Sequence, residues 1–303
     1  MSNGKAFRPF SPAVQDLVAL DAAVERIATG FLFTEGPVWH DQGQYLLFSD
    51  LAGDVVRRWD ERGGVTEFRR PSGKSNGLTY DRQGRLVACE HVERRVTRTE
   101  ADGSISVLAS SYAGKLLNSP NDVVVKSDGA IYFSDPPYGL QEFYGIARPQ
   151  DLDFQGVYRI SAEGELRLLV GDFAAPNGLA FSPDESLLYV DDTERLHVRV
   201  FDVRPDGSLA NSRVFFDFAP LAAKESLTGA PDGLKIDARG NLFCTGPGGI
   251  WVLSPTAEPL GLISVPEGPS NVNWGGPDWS TLFITATTSL YRLQTKVRGN
   301  RLG

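Results

Sequence analysis

The chain has 303 residues, of which 41% are hydrophobic and 22% charged, a globular composition that excludes a disordered or fibrous protein. Its 30 basic and 38 acidic residues give a formal net charge of −8 without a Lys/Arg-rich face, which argues against a nucleic-acid partner. There is no apolar run of roughly 18–20 residues and no signal-like N-terminus, so we expect no membrane partner and a cytoplasmic location.

The first part of the chain, residues 1–23, is expected to be an extension that precedes a series of repeats. Helical periodicity is weak throughout the chain and is found only near residues 12–23. The two cysteines, Cys89 and Cys244, lack zinc-ligand spacing and are too few for a disulfide framework. We therefore expect both to be buried free thiols.

From residue 34 onward, one pattern recurs six times. A polar residue beside Gly or Pro opens an apolar-alternating run, a turn rich in Asp and Gly follows, and an aromatic-rich strand ends in small or acidic residues. The second residues of successive opening pairs are 41, 45, 56, 55 and 39 residues apart, which is the length of a propeller blade. The copies are TEGPVWHDQGQYLLFSD (34–50), SNGLTYDRQGRLVACE (75–90), PNDVVVKSDGAIYFSD (120–135), PNGLAFSPDESLLYVDD (176–192), PDGLKIDARGNLFCTG (231–246) and SNVNWGGPDWSTLFIT (270–285).

Strand-like sequence follows each repeat, so that each unit offers four short strands separated by turns. The sequence therefore predicts an all-β fold, a six-bladed β-propeller with four-stranded antiparallel blades, as a single domain over residues 1–303. The last unit is one strand short, and VERIATGF (24–31) is predicted to supply that strand and close the ring. The alternative, a β-sandwich built from unrelated hairpins, would not repeat the same pattern in the same order six times. The predicted blades begin near residues 34, 75, 120, 176, 231 and 270.

The residue that opens the first strand of each blade is expected at one mouth of the channel, because that strand lies nearest the axis. Oxygen ligands around a common axis, with water completing six to eight ligands, suit Ca²⁺, and no His/Cys cluster competes for zinc or copper. The alternative is that the Asn-Gly and Asp-Gly pairs only form turns, which explains the Glu-Gly and Asn-Asp pairs poorly. All six opening residues are carboxylates or amides: Glu35, Asn76, Asn121, Asn177, Asp232 and Asn271.

Antiparallel pairing returns the end of each second strand to the same mouth. Some of the acidic residues there are expected to support metal ligands, and others only to cap turns. The residues concerned are Asp50, Glu90, Asp135, Asp191 and Asp192.

These features resemble the senescence marker protein-30, gluconolactonase and luciferin-regenerating family of calcium-dependent six-bladed propellers. The resemblance covers nearly the whole chain and is closest to the microbial gluconolactonases. The motifs that carry it are EGPVW (35–39), SPNDVVV (119–125), YFSDPPYGL (132–140), PNGLAFSPD (176–184) and PDGLKID (231–237).

The resemblance implies that Glu35, Asn177 and Asp232 are metal ligands and that Asn121 contacts the substrate near the metal. The family's proton donor and acceptor corresponds to Asp232. One position departs from the animal members, which carry a substrate-contacting arginine where this chain has Ser119. The substrate is therefore expected to be oriented differently from theirs.

The implied reaction is hydrolysis of a small-molecule sugar lactone to its open hydroxy acid, with Ca²⁺ as the Lewis acid and Asp232 as general base and acid. Replacement of Ca²⁺ by Zn²⁺ or Mn²⁺ stays open. Because a bound cation lowers the pKa of an aspartate and weakens it as a base, nucleophilic attack by Asp232 stays open as a second version.

Two further side chains are predicted at the mouth. His91 follows the acidic end of a second strand and is expected to bind substrate hydroxyls or assist proton transfer, the alternative being a surface loop histidine. Tyr138 is expected to stack on a sugar ring or to pack within its Pro-rich loop. Residues 136–156 form the longest predicted connection between strands, which is typical of a partial cover over a pocket.

Two other functions are compatible with the same features. One is a phosphotriesterase or arylesterase that uses the same calcium site, and the other is a noncatalytic calcium-binding propeller. The sequence contains no G-x-S-x-G, H-E-x-x-H or G-x-G-x-x-G pattern that would favour another enzyme class. It does not predict the oligomeric state.

Overall fold

Six four-stranded antiparallel sheets surround a central channel, which confirms the predicted six-bladed propeller. The computed structural model describes residues 7–301. Two strands precede the first blade: β1 (Phe7–Pro9) and β2 (Glu25–Thr29). None of the helices among residues 7–301 is long and apolar enough to cross a membrane.

The first three blades follow in chain order. Blade one contains β3 (Thr34–His40), β4 (Tyr45–Asp50), β5 (Val55–Asp60) and β6 (Gly64–Arg69). Blade two contains β7 (Ser75–Tyr80), β8 (Leu86–Glu90), β9 (Arg95–Thr99) and β10 (Ile105–Ala109), and a small hairpin of β11 (Ser111–Tyr112) and β12 (Lys115–Leu116) follows it. Blade three contains β13 (Val123–Val125), β14 (Ile131–Asp135), β15 (Gln155–Ile160) and β16 (Leu166–Phe173).

The last three blades complete the ring. Blade four contains β17 (Pro176–Phe181), β18 (Leu187–Asp192), β19 (His197–Val203) and β20 (Leu209–Asp217). A short helix, α1 (Ala219–Glu225), leads to blade five, which contains β21 (Leu234–Ile236), β22 (Leu242–Gly246), β23 (Gly249–Leu253) and β24 (Pro259–Ile263). Blade six contains β25 (Pro269–Gly275), β26 (Thr281–Ala286) and β27 (Ser289–Gln294).

The ring is closed by the N-terminal strand, as the repeat count predicted. β2 pairs antiparallel with β27 and becomes the outer strand of blade six. The innermost strands contact one another in chain order, and the last of them, β25, contacts β3. The Ser270 hydroxyl of blade six also donates to the Thr34 carbonyl of blade one, at 2.7 Å. Pairing with β2 covers the edge of β27 that would otherwise be exposed, and it joins segments that are far apart in sequence.

The N-terminal extension has structure that the sequence did not predict. β1 pairs antiparallel with β24 and gives blade five a fifth strand. A 3-10 helix (Pro12–Asp16) occupies part of the segment with weak helical periodicity. Phe7, Val14 and Val18 are buried in an apolar cluster shared with blades five and six. Burial of these side chains stabilises the closure by about 1.5–3 kcal/mol for each fully buried side chain.

Glycine is required where neighbouring innermost strands approach one another. Gly36 has φ +51°, and a Cβ atom there would lie 2.1 Å from the Asn76 carbonyl oxygen. The Gly178 amide donates to the Asp232 carbonyl at 2.8 Å, and a Cβ atom on Gly178 would lie 2.3 Å from that oxygen. Gly178 belongs to one of the Asn-Gly pairs and lies within β17, so for that pair the alternative of a simple turn is wrong.

Candidate active site

The six opening residues are brought to one mouth by the start of each innermost strand. In blades one, two, four and six, the strand pairing shifts register beside the opening residue, which indicates a β-bulge. A bulge re-aims the neighbouring side chain, and here it turns a strand residue toward the axis. Five of the six opening side chains are buried, and Asp232 is half-buried.

The carboxylates at this mouth raise one another's pKa. Burial and the neighbouring Asp232 and Asp122 carboxylates raise the pKa of Glu35 well above its usual range. Burial and the Asp122 carboxylate likewise raise the pKa of Asp232, which the Asn177 side chain partly offsets. Burial, Asp232 and Asp122 also raise the pKa of Asp191. The mouth is therefore a site where negative charge is concentrated and poorly solvated.

This donor set fits a hard cation. Both carboxylate oxygens of Asp191 are buried and accept no hydrogen bond of normal geometry from the described residues. The Gly178 amide, which donates to the Asp232 carbonyl, is close enough to lower the pKa of Asp191 but does not offset its burial. No three His, Cys, Asp or Glu side chains within residues 7–301 could hold a metal ion on their own. A cation would therefore need amide and water oxygens in addition to Glu35 and Asp232, and Ca²⁺ is the ion that such mixed oxygen sites suit.

The amide side chains of the ring differ in how many of their hydrogen-bonding atoms already have a partner within the protein. The Asn177 Nδ2 donates to the Thr193 hydroxyl at 3.1 Å, which leaves the amide oxygen of Asn177 available to a ligand. Asn271, by contrast, donates to Glu35 at 3.2 Å and accepts from the Val272 amide at 2.8 Å. Asn177 is thus suited to coordinate a cation, and Asn271 to orient Glu35.

Asn121 and Asn76 also carry unused hydrogen-bonding capacity. The Asn121 side chain makes no hydrogen bond to another residue within 7–301, while its main chain bonds to Ser134 and Gly77. The buried Asn76 Oδ1 has no partner in the same part of the chain. The predicted substrate contact of Asn121 is chemically feasible at this position and stays a prediction.

The acidic residues that end the second strands divide into two groups. Four of them bind local partners: Asp50 accepts from the Leu32 amide, Glu90 from Arg95, Asp135 from the Asn118 amide and Asp192 from the Ala174 amide, at 2.8 to 2.9 Å. Asp191 has no partner of this kind among the described residues and lies beside the acidic mouth. The sequence anticipated both roles but not their assignment.

His91 is buried, with both ring nitrogens facing protein groups. Its Nδ1–H donates to the Tyr144 carbonyl at 3.0 Å, so Nε2 is the acceptor in the neutral ring. The Asn76 Nδ2 lies 3.5 Å from that Nε2. Burial, with a smaller contribution from the Lys74 ammonium, lowers the pKa of His91 to about 4, against the raising effect of the hydrogen bond to the Tyr144 carbonyl. His91 is therefore neutral near pH 7, and its direct contact with substrate stays a prediction.

The connection from β14 to β15, residues 136–154, includes a 3-10 helix (Tyr138–Leu140) and carries two tyrosines near the carboxylates of the mouth. Its start is fixed by Ser119, whose hydroxyl donates to the Pro136 carbonyl and accepts from the Gly139 amide at 2.9 Å. The residue that stands in place of the animal arginine is thus fully buried beneath this segment. Its role as a cover over substrate stays a prediction.

Two tyrosines of this segment lie near the carboxylates. The Tyr138 hydroxyl is buried and has no hydrogen-bond partner within residues 7–301. Burial raises the pKa of Tyr138, and the Asp232 carboxylate adds to the effect. Burial and then the Asp232 and Glu35 carboxylates raise the pKa of Tyr144. Sequence reasoning did not assign Tyr144 a role at the site.

Lys235 is a channel residue that sequence reasoning missed. Its Nζ lies 3.4 Å from Asp122 Oδ2, and both side chains are buried. The only available signal was its position in the PDGLKID repeat, three residues after Asp232. The pair neutralises one carboxylate of the mouth. Cys89 and Cys244 are buried free thiols, as predicted.

Comparison with known proteins agrees with this architecture. The family model for the SMP-30/gluconolactonase/LRE-like region matches residues 33–288. A gluconolactonase of Zymomonas mobilis subsp. mobilis is 35% identical over 96% of this chain and 86% of its own length. Pentonolactonase XacC of Haloferax volcanii is 24% identical over 83% of this chain and 80% of its own length.

A solved structure is similar over the whole fold. The gluconolactonase XC5397 from Xanthomonas campestris has a TM-score of 0.88 and 36% identity, covering 97% of this chain and 96% of that one. The family match, the relatives and the six-bladed ring agree with the motifs at the mouth. The chain therefore belongs to the SMP-30/gluconolactonase/LRE-like family.

Proposed function

We propose that this chain is a lactonase that hydrolyses a sugar lactone to its open hydroxy acid and that it depends on Ca²⁺. The lactonase assignment is supported by family membership and by relatives that are a gluconolactonase and a pentonolactonase. The observation that carries the proposal is the concentration of buried carboxylates at one mouth, where Asp191 has no partner among the described residues. Such a site favours a cation and a neutral, oxygen-rich substrate.

Glu35, Asn177 and Asp232 would hold the cation, because their oxygens belong to three different blades that meet at the mouth. When bound, Ca²⁺ supplies Lewis-acid polarisation of an ester carbonyl. Asn271 holds Glu35 in place through its 3.2 Å hydrogen bond, and Thr193 holds the Asn177 amide. These contacts keep the ligand oxygens in position before a substrate arrives.

The proton chemistry is assigned to Asp232, the most accessible carboxylate of the ring. Asp232 takes a proton from the attacking water while the oxygen of that water bonds to the lactone carbonyl carbon. It returns that proton to the ring oxygen as the ester C–O bond breaks, which yields the hydroxy acid. Asn121 donates its amide N–H to the substrate and orients it.

The second version of the chemistry has Asp232 itself attack the carbonyl carbon. The two versions differ in where solvent oxygen first appears. A single turnover in ¹⁸O water labels the product directly if water attacks. Label that appears first in the protein carboxylate would exclude the water-attack version.

A substrate panel tests the proposed function. Acid release from D-glucono-1,5-lactone is compared with hydrolysis of a phosphotriester and an aryl ester, each with chelator and then with Ca²⁺, Zn²⁺ or Mn²⁺ added. We expect the lactone to be preferred and Ca²⁺ to restore activity. Preference for the phosphotriester or aryl ester would support the esterase alternative, and calcium binding without any hydrolysis would support a noncatalytic propeller.

A further inference from the structure

We propose that Tyr144 is a substrate-contacting residue that binds the hydroxyl-bearing ring of the lactone, and that Lys74 and His91 are the positioning residues that hold it over the mouth. This inference rests on the proposed lactonase function and adds a specificity-determining contact to it. The observation behind this inference is that side chains of blade two fix one short stretch of the 136–154 segment.

Four consecutive main-chain carbonyls of this segment accept hydrogen bonds from blade two. The Lys74 ammonium donates to the carbonyls of residues 142, 143 and 145 at 3.1, 3.2 and 3.1 Å. The fourth carbonyl, that of Tyr144, accepts from the His91 Nδ1–H at 3.0 Å. An ammonium group has three donors, so Lys74 is fully used by this stretch. The backbone that carries Tyr144 is therefore fixed in one place.

Ring contacts fix the Tyr144 side chain as well. Its ring lies edge to face with Phe33, with 5.4 Å between centroids, and Phe33 is two residues before Glu35. It also meets Phe143 at 5.0 Å and Tyr138 at 6.5 Å. Edge-to-face contacts of this kind restrict the orientation of an aromatic ring. Tyr144 thus reaches from the β14–β15 connection of blade three to the entrance of blade one.

The exposed part of Tyr144 is chemically suited to a sugar lactone. The residue is half-buried, and its hydroxyl makes no hydrogen bond within residues 7–301, so both a ring surface and a donor remain available. Burial and the Asp232 and Glu35 carboxylates raise the pKa of Tyr144, which keeps the phenol protonated. An aromatic surface with one placed donor is typical of small-molecule sites that recognise a hydroxylated ring.

Tyr144→Phe tests the contact by removing only the hydroxyl. The readout is the ratio of kcat/KM for D-glucono-1,5-lactone to that for δ-valerolactone, which has the same six-membered lactone ring without hydroxyls. We expect the ratio to fall by about 5-fold or more, mainly through a higher KM for the gluconolactone. Tyr112→Phe removes a tyrosine hydroxyl from the β11–β12 hairpin, where the ring packs against Phe154 and Tyr158, and is expected to keep the wild-type ratio.

Two substitutions of Lys74 test its role in positioning Tyr144. Lys74→Met leaves three carbonyls without their donor and is expected to lower the same ratio, whereas Lys74→Arg keeps a multiple donor and is expected to restore at least half of the lost preference. Thermal unfolding of each variant is measured in parallel. A purely structural role would lower stability and kcat for both lactones together and leave the ratio unchanged.

The outcomes separate this inference from the function on which it rests. If the wild-type protein hydrolyses neither lactone, the proposed function has failed and the inference fails with it. If the wild-type protein is active but Tyr144→Phe and Tyr144→Ala both keep the wild-type ratio, the inference alone is overturned. A lower ratio in Tyr144→Phe, with rescue of Lys74→Met by Lys74→Arg, supports it.

Discussion

Lys235 and Asp122 form an ion pair across the channel, with 3.4 Å between Nζ and Oδ2 and exposed fractions of only 7% and 3%. Lys235 belongs to blade five and Asp122 precedes the innermost strand of blade three, so the contact joins blades that are not neighbours. Asp122 also raises the pKa of Glu35, Asp232 and Asp191. The lysine therefore offsets part of the charge that the mouth concentrates.

Replacing Lys235 alone should be costly. Lys235→Met leaves Asp122 buried and unpaired, and we expect the free energy of unfolding to fall by about 3–5 kcal/mol. Lys235→Met combined with Asp122→Asn should recover most of the loss, because no unpaired charge remains. Chemical denaturation measures the free energy of unfolding of both variants. Arg167→Met, which breaks an exposed ion pair with Glu165, should leave the free energy of unfolding nearly unchanged, because solvent screens exposed ion pairs. Equal losses in the single and double variants would contradict this account.

Two adjacent aspartates should respond differently to the same substitution. Asp191→Asn removes a buried charge that repels Asp232, so the metal-free variant should be more stable by about 1 kcal/mol and should gain less from added calcium. Asp192→Asn weakens hydrogen bonds from the amides of Ala174 and Ala175 and should destabilise by about 1 kcal/mol with or without calcium. Thermal unfolding in the presence of chelator, and again with calcium added, measures the stability of both variants. Identical calcium responses would show that Asp191 has no special role.

Gly178 should be intolerant of a side chain. In Gly178→Ala the new Cβ atom would lie 2.3 Å from the Asp232 carbonyl oxygen, so the backbone that carries Asp232 must move. We expect a loss of about 2 kcal/mol or more in stability together with weaker calcium binding. The matched control is Gly171→Ala, whose nearest contacts of 3.4 Å are ordinary ones. Calorimetric calcium titration that gives wild-type affinity for Gly178→Ala would contradict the proposed packing.

The buried neutral ring of His91 predicts a pH dependence of stability. Its pKa is lowered from 6.5 to about 4, so the unfolded state binds the proton more readily than the folded state. The contribution of neutral His91 is fully present above about pH 6.5 and is lost as pH falls toward about 4, by about 3 kcal/mol in all.

The test of this pH dependence compares the wild-type protein with His91→Gln by denaturation at several pH values. Glutamine keeps one donor and one acceptor but does not titrate in this range. We expect the wild-type free energy of unfolding to fall more steeply than that of the variant between about pH 6.5 and pH 4. Parallel curves would mean that His91 is not a buried neutral histidine.

The repeat made the fold predictable from sequence. A period shared by six units predicted the blades and also the need for a closing strand, which β2 supplies. β1 was not predictable in this way, because a three-residue strand outside the repeat has no periodic signal. The extra strand depends on pairing between Phe7 and Ile263, which are far apart in sequence.

The candidate site was predictable as a set of positions but not as a set of roles. Asn76, Asn177 and Asn271 look equivalent in the sequence, yet Asn271 is satisfied by Glu35, 236 residues away. Lys235 escaped notice because its partner Asp122 lies 113 residues away and two blades distant. Roles of this kind depend on long-range contacts that no local pattern encodes.

The central claim is that Asp232 and a calcium ion act together in lactone hydrolysis. The most direct measurement is the rate of acid release from D-glucono-1,5-lactone, above the uncatalysed rate, by the wild-type protein and by Asp232→Asn, each with chelator and then with Ca²⁺ restored. We predict that only the wild-type protein with Ca²⁺ is active and that folded Asp232→Asn is slower by about 100-fold or more. Full activity in Asp232→Asn, or in the chelated wild-type protein, would contradict the account.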